Sequence, residues 1–222
     1  MDLVPVKMPL LVQRFFWRYT WRVSAVKNKK ILYLTFDDGP TPEITQWTLD
    51  LLKRYNAKAT FFCIGANIKK HPAIFKTILA EGHGIGNHTQ DHIKGWQTSL
   101  LDYLDNIETA QRHITSQITD HKSSISNLFR PPHGQISRAQ GKALIKRGYQ
   151  VIMWSILGFD WDPKVSQEQC YNNVITKASN GDIIVLHDSV KASKNMQYAL
   201  PKILDYYTKL GYVFKQIPES NQ

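Results

Sequence analysis

Strand-like and helix-like segments alternate along the whole chain, which predicts an α/β domain: a parallel sheet with helices packed outside it. Two further observations narrow the class. The strand-like runs are short, apolar and rich in strand formers, as buried strands should be. Roughly seven such units fill the chain, which suits an incomplete (β/α) barrel better than a flat sheet and leaves closure open. No repeat, low-complexity tract or linker interrupts the pattern, so one domain is expected over residues 30–217. Residues 1–29 read as an N-terminal extension packed on that domain, and 218–222 as a tail.

The first strand begins at Ile31 and runs into Asp37-Asp38-Gly39-Pro40, two carboxylates followed by a turn signal. Behind it, Ile44, Trp47, Leu51, Leu52 and Tyr55 recur at helical spacing. Ala59–Ile64 reads as the second strand, His71–Glu81 as a helix stopped by Gly82, and Gly84–Asn87 as the third strand. Ser99 with Asp102 resembles a capping box, opening a long helix that aligns Leu100, Leu104, Ile107, Ile114 and Ile118. Asn127–Arg130 is the fourth strand, Ser137–Arg147 a short helix and Gln150–Ile156 the fifth strand. A polar helix follows over Ser166–Ala178, then a sixth strand at Asp182–His187. Met196, Ala199, Leu200, Ile203, Leu204 and Tyr207 mark the last helix, and Tyr212–Ile217 the seventh strand.

The 222 residues, 42% hydrophobic and 21% charged, suffice for one full core. Lys and Arg number 28 against 18 Asp and Glu, and the net charge of +10 favours anionic surroundings. No basic helix, zinc-finger spacing or aromatic RNA-binding strand points to nucleic acid, so most of the excess reads as solvated surface. No apolar run approaches the roughly 18–20 residues of a membrane span. The N-terminus lacks the continuous apolar run and cleavage site of an export signal, so a cytoplasmic protein is expected. There Arg14, Arg18 and Arg22 alternate with Phe15, Phe16, Trp17, Tyr19 and Trp21. Such a segment either rests on a membrane surface or packs across the base of the domain, the commoner arrangement. Cys63 and Cys170 have no metal-type spacing, and Cys63 reads as core.

Two adjacent aspartates repel when ionised, so Asp37 and Asp38 need a cation. A divalent metal on one would leave the other free as a base; an ordinary Asp-rich turn is the alternative. His88 and His92 stand four apart after the third strand, able to meet one ion, although such pairs also arise by chance. With Asp38 they make a three-ligand set with one position open, the layout of a catalytic site. Arg130-Pro131-Pro132-His133-Gly134 closes the fourth strand with a stiff turn. Arg130 stands where it could fix a carboxylate, or lie beside a rigid loop. Asp160-Trp161 follows the fifth strand, and Val185-Leu186-His187-Asp188 ends the sixth. A histidine there is commonly a satisfied core residue; beside a buried aspartate it can act as a general acid. All these residues fall at the same end of successive strands, where α/β folds keep their chemistry.

In these residues the sequence resembles the polysaccharide deacetylases, carbohydrate esterases with a nodulation-protein-like homology domain. The resemblance runs from about Lys30 to Phe214 and rests on Thr35–Pro40, His88–His92, Arg130–Gly134, Asp160-Trp161 and Val185–His187, in that order. It implies a distorted (β/α) barrel that removes N-acetyl, or sometimes O-acetyl, groups from sugars. It implies further that Asp38, His88 and His92 bind a divalent metal, usually Zn2+, with Co2+, Ni2+ or Mn2+ as alternatives. Asp37 would be the general base and His187 the general acid, with Arg130 holding Asp37 and Asp160 tuning His187. Trp161 and Val185 would wall the acetyl pocket, with Pro132 and His133 at the substrate rim.

Four positions depart from the family pattern: His133 replaces a tyrosine, Leu157 the first aspartate of Asp-x-x-Asp-Trp, Val185 a leucine and Ile93 a proline. None removes a ligand or a proton-transfer group. The expected substrate is a GlcNAc-containing glycan of chitooligosaccharide or peptidoglycan type, acted on by a monomer. An O-acetyl esterase and a catalytically silent carbohydrate-binding protein are the competing expectations. His71, His83, His113 and His121 are expected to be structural or surface residues.

Overall fold

The computed structural model describes residues 4–25, 27–118 and 126–219, so His121 lies outside the described residues. The centre of the sheet is β1 (Ile31–Asp37), buried along its whole length. It pairs in parallel with β2 (Ala59–Cys63) on one side and β7 (Ile183–His187) on the other. Beyond β2 come β3 (Gly84–Asn87), β4 (Leu128–Phe129) and β5 (Gln150–Val151); beyond β7 comes β6 (Ile156–Leu157). β8 (Val213–Phe214) pairs with Ile31 and Leu32 at the start of β1. All ladders are parallel, and the sheet curls into a half-barrel whose order ends at β5 and β6.

Period-two alternation along β1 divides the core. Leu32, Leu34 and Phe36 point to the helical side, where they meet Phe61, Leu200 and Leu204. Ile31 and Tyr33 point into the curl, among Phe62, Phe129, Leu157 and Val185. The same alternation sends Thr35 and Asp37 into the curl, and this places the site.

The outer layer consists of α2 (Ile44–Arg54), α3 (Gly65–Lys70), α4 (Pro72–Ala80), α5 (Leu100–Gln117), α6 (Arg138–Lys146), α7 (Gln167–Ile175) and α8 (Ser193–Lys209). Side chains close three of the N-termini. Ser99 accepts from the Asp102 N–H at 3.2 Å, Ser166 from Gln169, and Ser137 with Gln140 forms a complete capping box. α3 and the six-residue α1 (Leu10–Phe15) are too short to register as periodicity.

One expected strand is two. Gln150–Ile156 reads as a continuous apolar run, yet the chain leaves the sheet after β5 and re-enters as β6 at the opposite edge. Between them, the N-terminal segment supplies the missing partners. Thr20 N–H donates to Val151 O, Met153 N–H to Thr20 O, and Met8 N–H to Ser155 O. Isolated bridges join Lys7 to Ile156 and Thr20 to Ile152, while Met8 and Trp21 are buried. Hydrophobicity reports burial, not which edge a strand joins. Among the described residues no helix is long and apolar enough to cross a membrane. Cys63 and Cys170 are both buried and free.

Candidate active site

A cleft of about 460 Å³ opens at the carboxyl ends of the strands, and Asp37, Asp38, His88, His92, His133, Trp161, Val185 and His187 line it. Its floor is a buried ion pair. Arg130, fully buried after β4, sends one guanidinium nitrogen to Asp37 Oδ1 at 2.6 Å and to Thr35 Oγ1 at 2.7 Å. Its other nitrogens donate to Ile152 O at 3.3 Å and Met153 O at 3.1 Å, and the group lies 4.1 Å over the Phe62 ring. Burial pulls the Arg130 pKa down, against the opposing pull of Asp37, and an arginine keeps its charge nonetheless.

Beside this pair three side chains converge. Asp38 Oδ1 lies 3.2 Å from His92 Nε2 and 3.7 Å from His88 Nε2. The three potential ligand atoms are all within 4.8 Å of one another. His88 turns its Nδ1 to Arg130 O at 2.8 Å, which fixes the tautomer that presents an Nε2 lone pair to Asp38. Burial, the largest influence, pushes His88 down to about 4, so it is neutral at physiological pH. Burial raises the Asp38 carboxyl, but His92, His187 and His88 more than offset this and hold it well below the usual carboxylate range. Among the described residues buried Asp38 Oδ1 accepts no hydrogen bond of good geometry, and that orphaned acceptor beside a neutral imidazole suits a divalent cation.

Opposite stands the second pair. β1–β7 register sets His187 directly across from Asp37. Asp160, buried, accepts the His187 backbone N–H at 2.6 Å and meets its Nδ1 at 2.9 Å. Burial lowers the His187 pKa, but Asp160 and then Asp38 and Asp37 overcome it and raise it to about 9. The Trp161 ring packs edge-on to His187 at 4.6 Å, above the buried Leu157 and Val185.

The site loops hold unusual backbone. Asp38, Thr89, His92, His133 and Phe159 all take positive φ, between 55° and 80°. Each such residue costs about 1–3 kcal/mol, tolerated where surrounding bonds hold it. Asn87 Oδ1 accepts the Thr89 N–H at 2.9 Å, and Asn67 donates to Asp38 O at 2.7 Å. In the turn after β4 both Pro131 and Pro132 are buried, and of the two only Pro131 lines the cleft, whereas Pro132 was the one expected at the substrate rim. His133 is exposed at the rim, 4.7 Å from the His92 ring, and its backbone N–H has no acceptor among the described residues. Ile93 is packed against the inner core.

Sequence reasoning missed Asp188. Fully buried behind the cleft, it accepts from the Gly39 N–H at 3.1 Å and from the Thr45 hydroxyl, bracing the Asp-Asp-Gly-Pro turn. Burial pushes it up to about 7, with Asp38 adding to the rise. Its adjacency to His187 was the available signal, but nothing local reveals that it faces Gly39, 149 residues away. Trp154 and Gln135 also line the cleft, each with a buried polar atom that has no partner among the described residues. His83 accepts the Ala59 N–H at 3.1 Å away from the cleft, a structural role.

Comparison with known proteins covers most of the chain. Residues 24–152 match the sequence profile described as polysaccharide deacetylase. A peptidoglycan-N-acetylglucosamine deacetylase of Bacillus cereus is 38% identical over 204 residues, 90% of this chain and 91% of the relative. The peptidoglycan-N-acetylmuramic acid deacetylase PdaC of Bacillus subtilis is 32% identical over 188 residues, 83% of this chain but 37% of that longer protein. A crystal structure of a peptidoglycan N-acetylglucosamine deacetylase, bound to a naphthalenyl N-hydroxybenzamide, superposes with a TM-score of 0.84 at 31% identity and covers 95% of both chains. The profile spans more than half of the chain and the fold superposes almost end to end: the chain belongs to the polysaccharide deacetylase family.

Proposed function

We propose that this protein is a metal-dependent hydrolase that removes N-acetyl groups from a GlcNAc-containing glycan, of the peptidoglycan or chitooligosaccharide type. One observation carries the reading: the Asp37–Arg130 pair, the Asp160–His187 pair and the Asp38/His88/His92 donor set meet in a single cleft. The catalytic domain is taken as residues 30–217. The three donors would hold a divalent metal, zinc by family habit, which supplies Lewis acidity toward the acyl oxygen and lowers the pKa of water.

The chain's own residues do the rest. Arg130 occupies Asp37 Oδ1, leaving the second oxygen without a protein partner among the described residues, ready to take a proton from the attacking water. As water adds to the acyl carbon, the free His133 N–H donates to the developing oxyanion. His187, held positive by Asp160, gives its proton to the sugar nitrogen, the C–N bond breaks, and acetate and an amine leave. Leu157, Val185 and Trp161 make an apolar wall fitted to the acetyl methyl. Relatives named for N-acetylglucosamine and for N-acetylmuramic acid support the glycan class and leave both sugars as candidates.

The test measures acetate and free amine from chitooligosaccharides and peptidoglycan fragments, with metal-stripped enzyme, zinc added back, and Asp37→Asn. The expected result is release of both products, restored by zinc and about 10²–10⁴-fold slower in Asp37→Asn. Acetate without amine would move the reading to an O-acetyl esterase. Zinc binding without release from either substrate would keep the metal site and reject the substrate, and purified protein without metal would favour a silent carbohydrate-binding protein.

A further inference from the structure

The excess positive charge is unevenly distributed along the chain. Between Val4 and Phe36 the chain carries seven Lys and Arg and no Asp or Glu, out of a net +10. The remainder of the chain, with 21 basic and 18 acidic residues, is close to balanced.

That basic stretch also carries an exposed apolar protrusion. α1 buries none of its residues; Leu10 is 71%, Leu11 81%, Phe15 65% and Trp17 72% exposed. Isolated surface apolar residues are ordinary, but four large ones within eight positions mark an interaction surface. The protrusion is not a frayed end. Met8 and Thr20 tie its two sides to the seam between β5 and β6, and Trp21 Nε1 donates back to Phe16 O at 3.1 Å. Arg18 lies over the Trp17 ring at 5.3 Å, and Arg138 of α6 over Phe15 at 5.7 Å. Arg14 and Arg18 have no ion-pair partner among the described residues, whereas Lys7 and Arg22 at the base are engaged by Asp182.

We propose that this protrusion is a docking surface for an anionic lipid bilayer. Leu10, Leu11, Phe15 and Trp17 enter the headgroup region, and the flanking arginines meet the lipid phosphates. Charge decides between occupants. A two-fold dimer through the same patch would bring Arg14, Arg18 and Arg138 up against their own copies, a repulsion that anionic lipid does not meet. A glycan would use the aromatic rings but gain nothing from Leu10 and Leu11, which neither stack on sugars nor hydrogen-bond to hydroxyls.

The experiment is sedimentation of the full chain with vesicles of phosphatidylcholine alone and of phosphatidylcholine mixed with phosphatidylglycerol. Binding is expected with the anionic vesicles only, weakening as salt rises. The Leu11→Glu/Trp17→Glu variant should bind about tenfold more weakly, with an unchanged melting temperature. Arg14→Glu/Arg18→Glu should lose binding to the same vesicles through charge alone. Equal partitioning of parent and variants overturns the proposal. So does a dimer seen by light scattering without lipid and abolished by the same variants. Binding is read without substrate, so it stands or falls independently of the deacetylase reading.

Discussion

Two carboxylate–cation pairs flank the cleft, and they differ in whether the cation can release a proton. On the β4 side Asp37 meets Arg130, which spends its other donors on Thr35, Ile152 and Met153. On the β7 side Asp160 meets His187, whose raised pKa of about 9 keeps it charged at neutral pH yet within reach of titration. The first pair supplies a permanent charge and a fixed position. The second supplies a proton that can be given up. A hydrolase that must take a proton on one side and deliver one on the other needs that asymmetry.

The largest expected effect tests the fixed pair. Arg130→Ala leaves Asp37 buried without its partner and should cost about 3–5 kcal/mol of stability in chemical unfolding. Arg130→Lys should recover only part of this, since one ammonium does not reach all four acceptors. Unfolding of Arg130→Ala at the parental denaturant concentration would break the claim that this pair holds the floor.

The second test sharpens the titratable pair. The folded pKa of His187 lies above its ordinary 6.5, so the pair stabilises the fold fully below about pH 6.5 and loses that contribution as pH rises through about 9. Metal-free parent should therefore become less stable across that window, and Asp160→Asn should flatten the decline. In kinetics, burial would act on His187 without its main opponent, so the alkaline limb of the pH–rate profile should move to lower pH. A limb that stays put would remove Asp160 from the argument.

The smallest effect concerns the rim. His133→Tyr keeps the backbone N–H and changes only the exposed ring, so KM should shift modestly while the pH profile is retained. A displaced pH profile would show that the His133 ring, rather than its backbone, takes part.

Much of the fold was legible because its signals are local. The apolar run Ile31–Phe36 and the turn residues after it announced a buried strand, and Ser99 announced the start of α5. The break between β5 and β6 was not legible, because Ile152–Ser155 are as buried as their neighbours. What separates them from the sheet is pairing with residues 8 and 20, far away in sequence. The sequence allows the N-terminal segment to pack across the base or to rest on a membrane; Met8 and Trp21 are buried while α1 stands exposed. Net charge by itself suggests a broadly solvated surface. The count over residues 4–36 was readable all along, but its meaning depended on seeing the apolar residues beside it exposed.

The sequence by itself determined which chemical groups stand at the strand ends, and in what order. Strand periodicity and turn chemistry act over a few residues, and they are written in the chain. Tertiary structure supplied the geometry by which two adjacent aspartates divide their partners. Asp37, still in register on β1, points into the curl and meets Arg130, 93 residues on. Asp38, one step past the strand at φ +80°, turns instead toward His88 and His92. The physical reason is that neighbouring residues of a strand face opposite ways, and only the curl of the sheet determines what waits on either side.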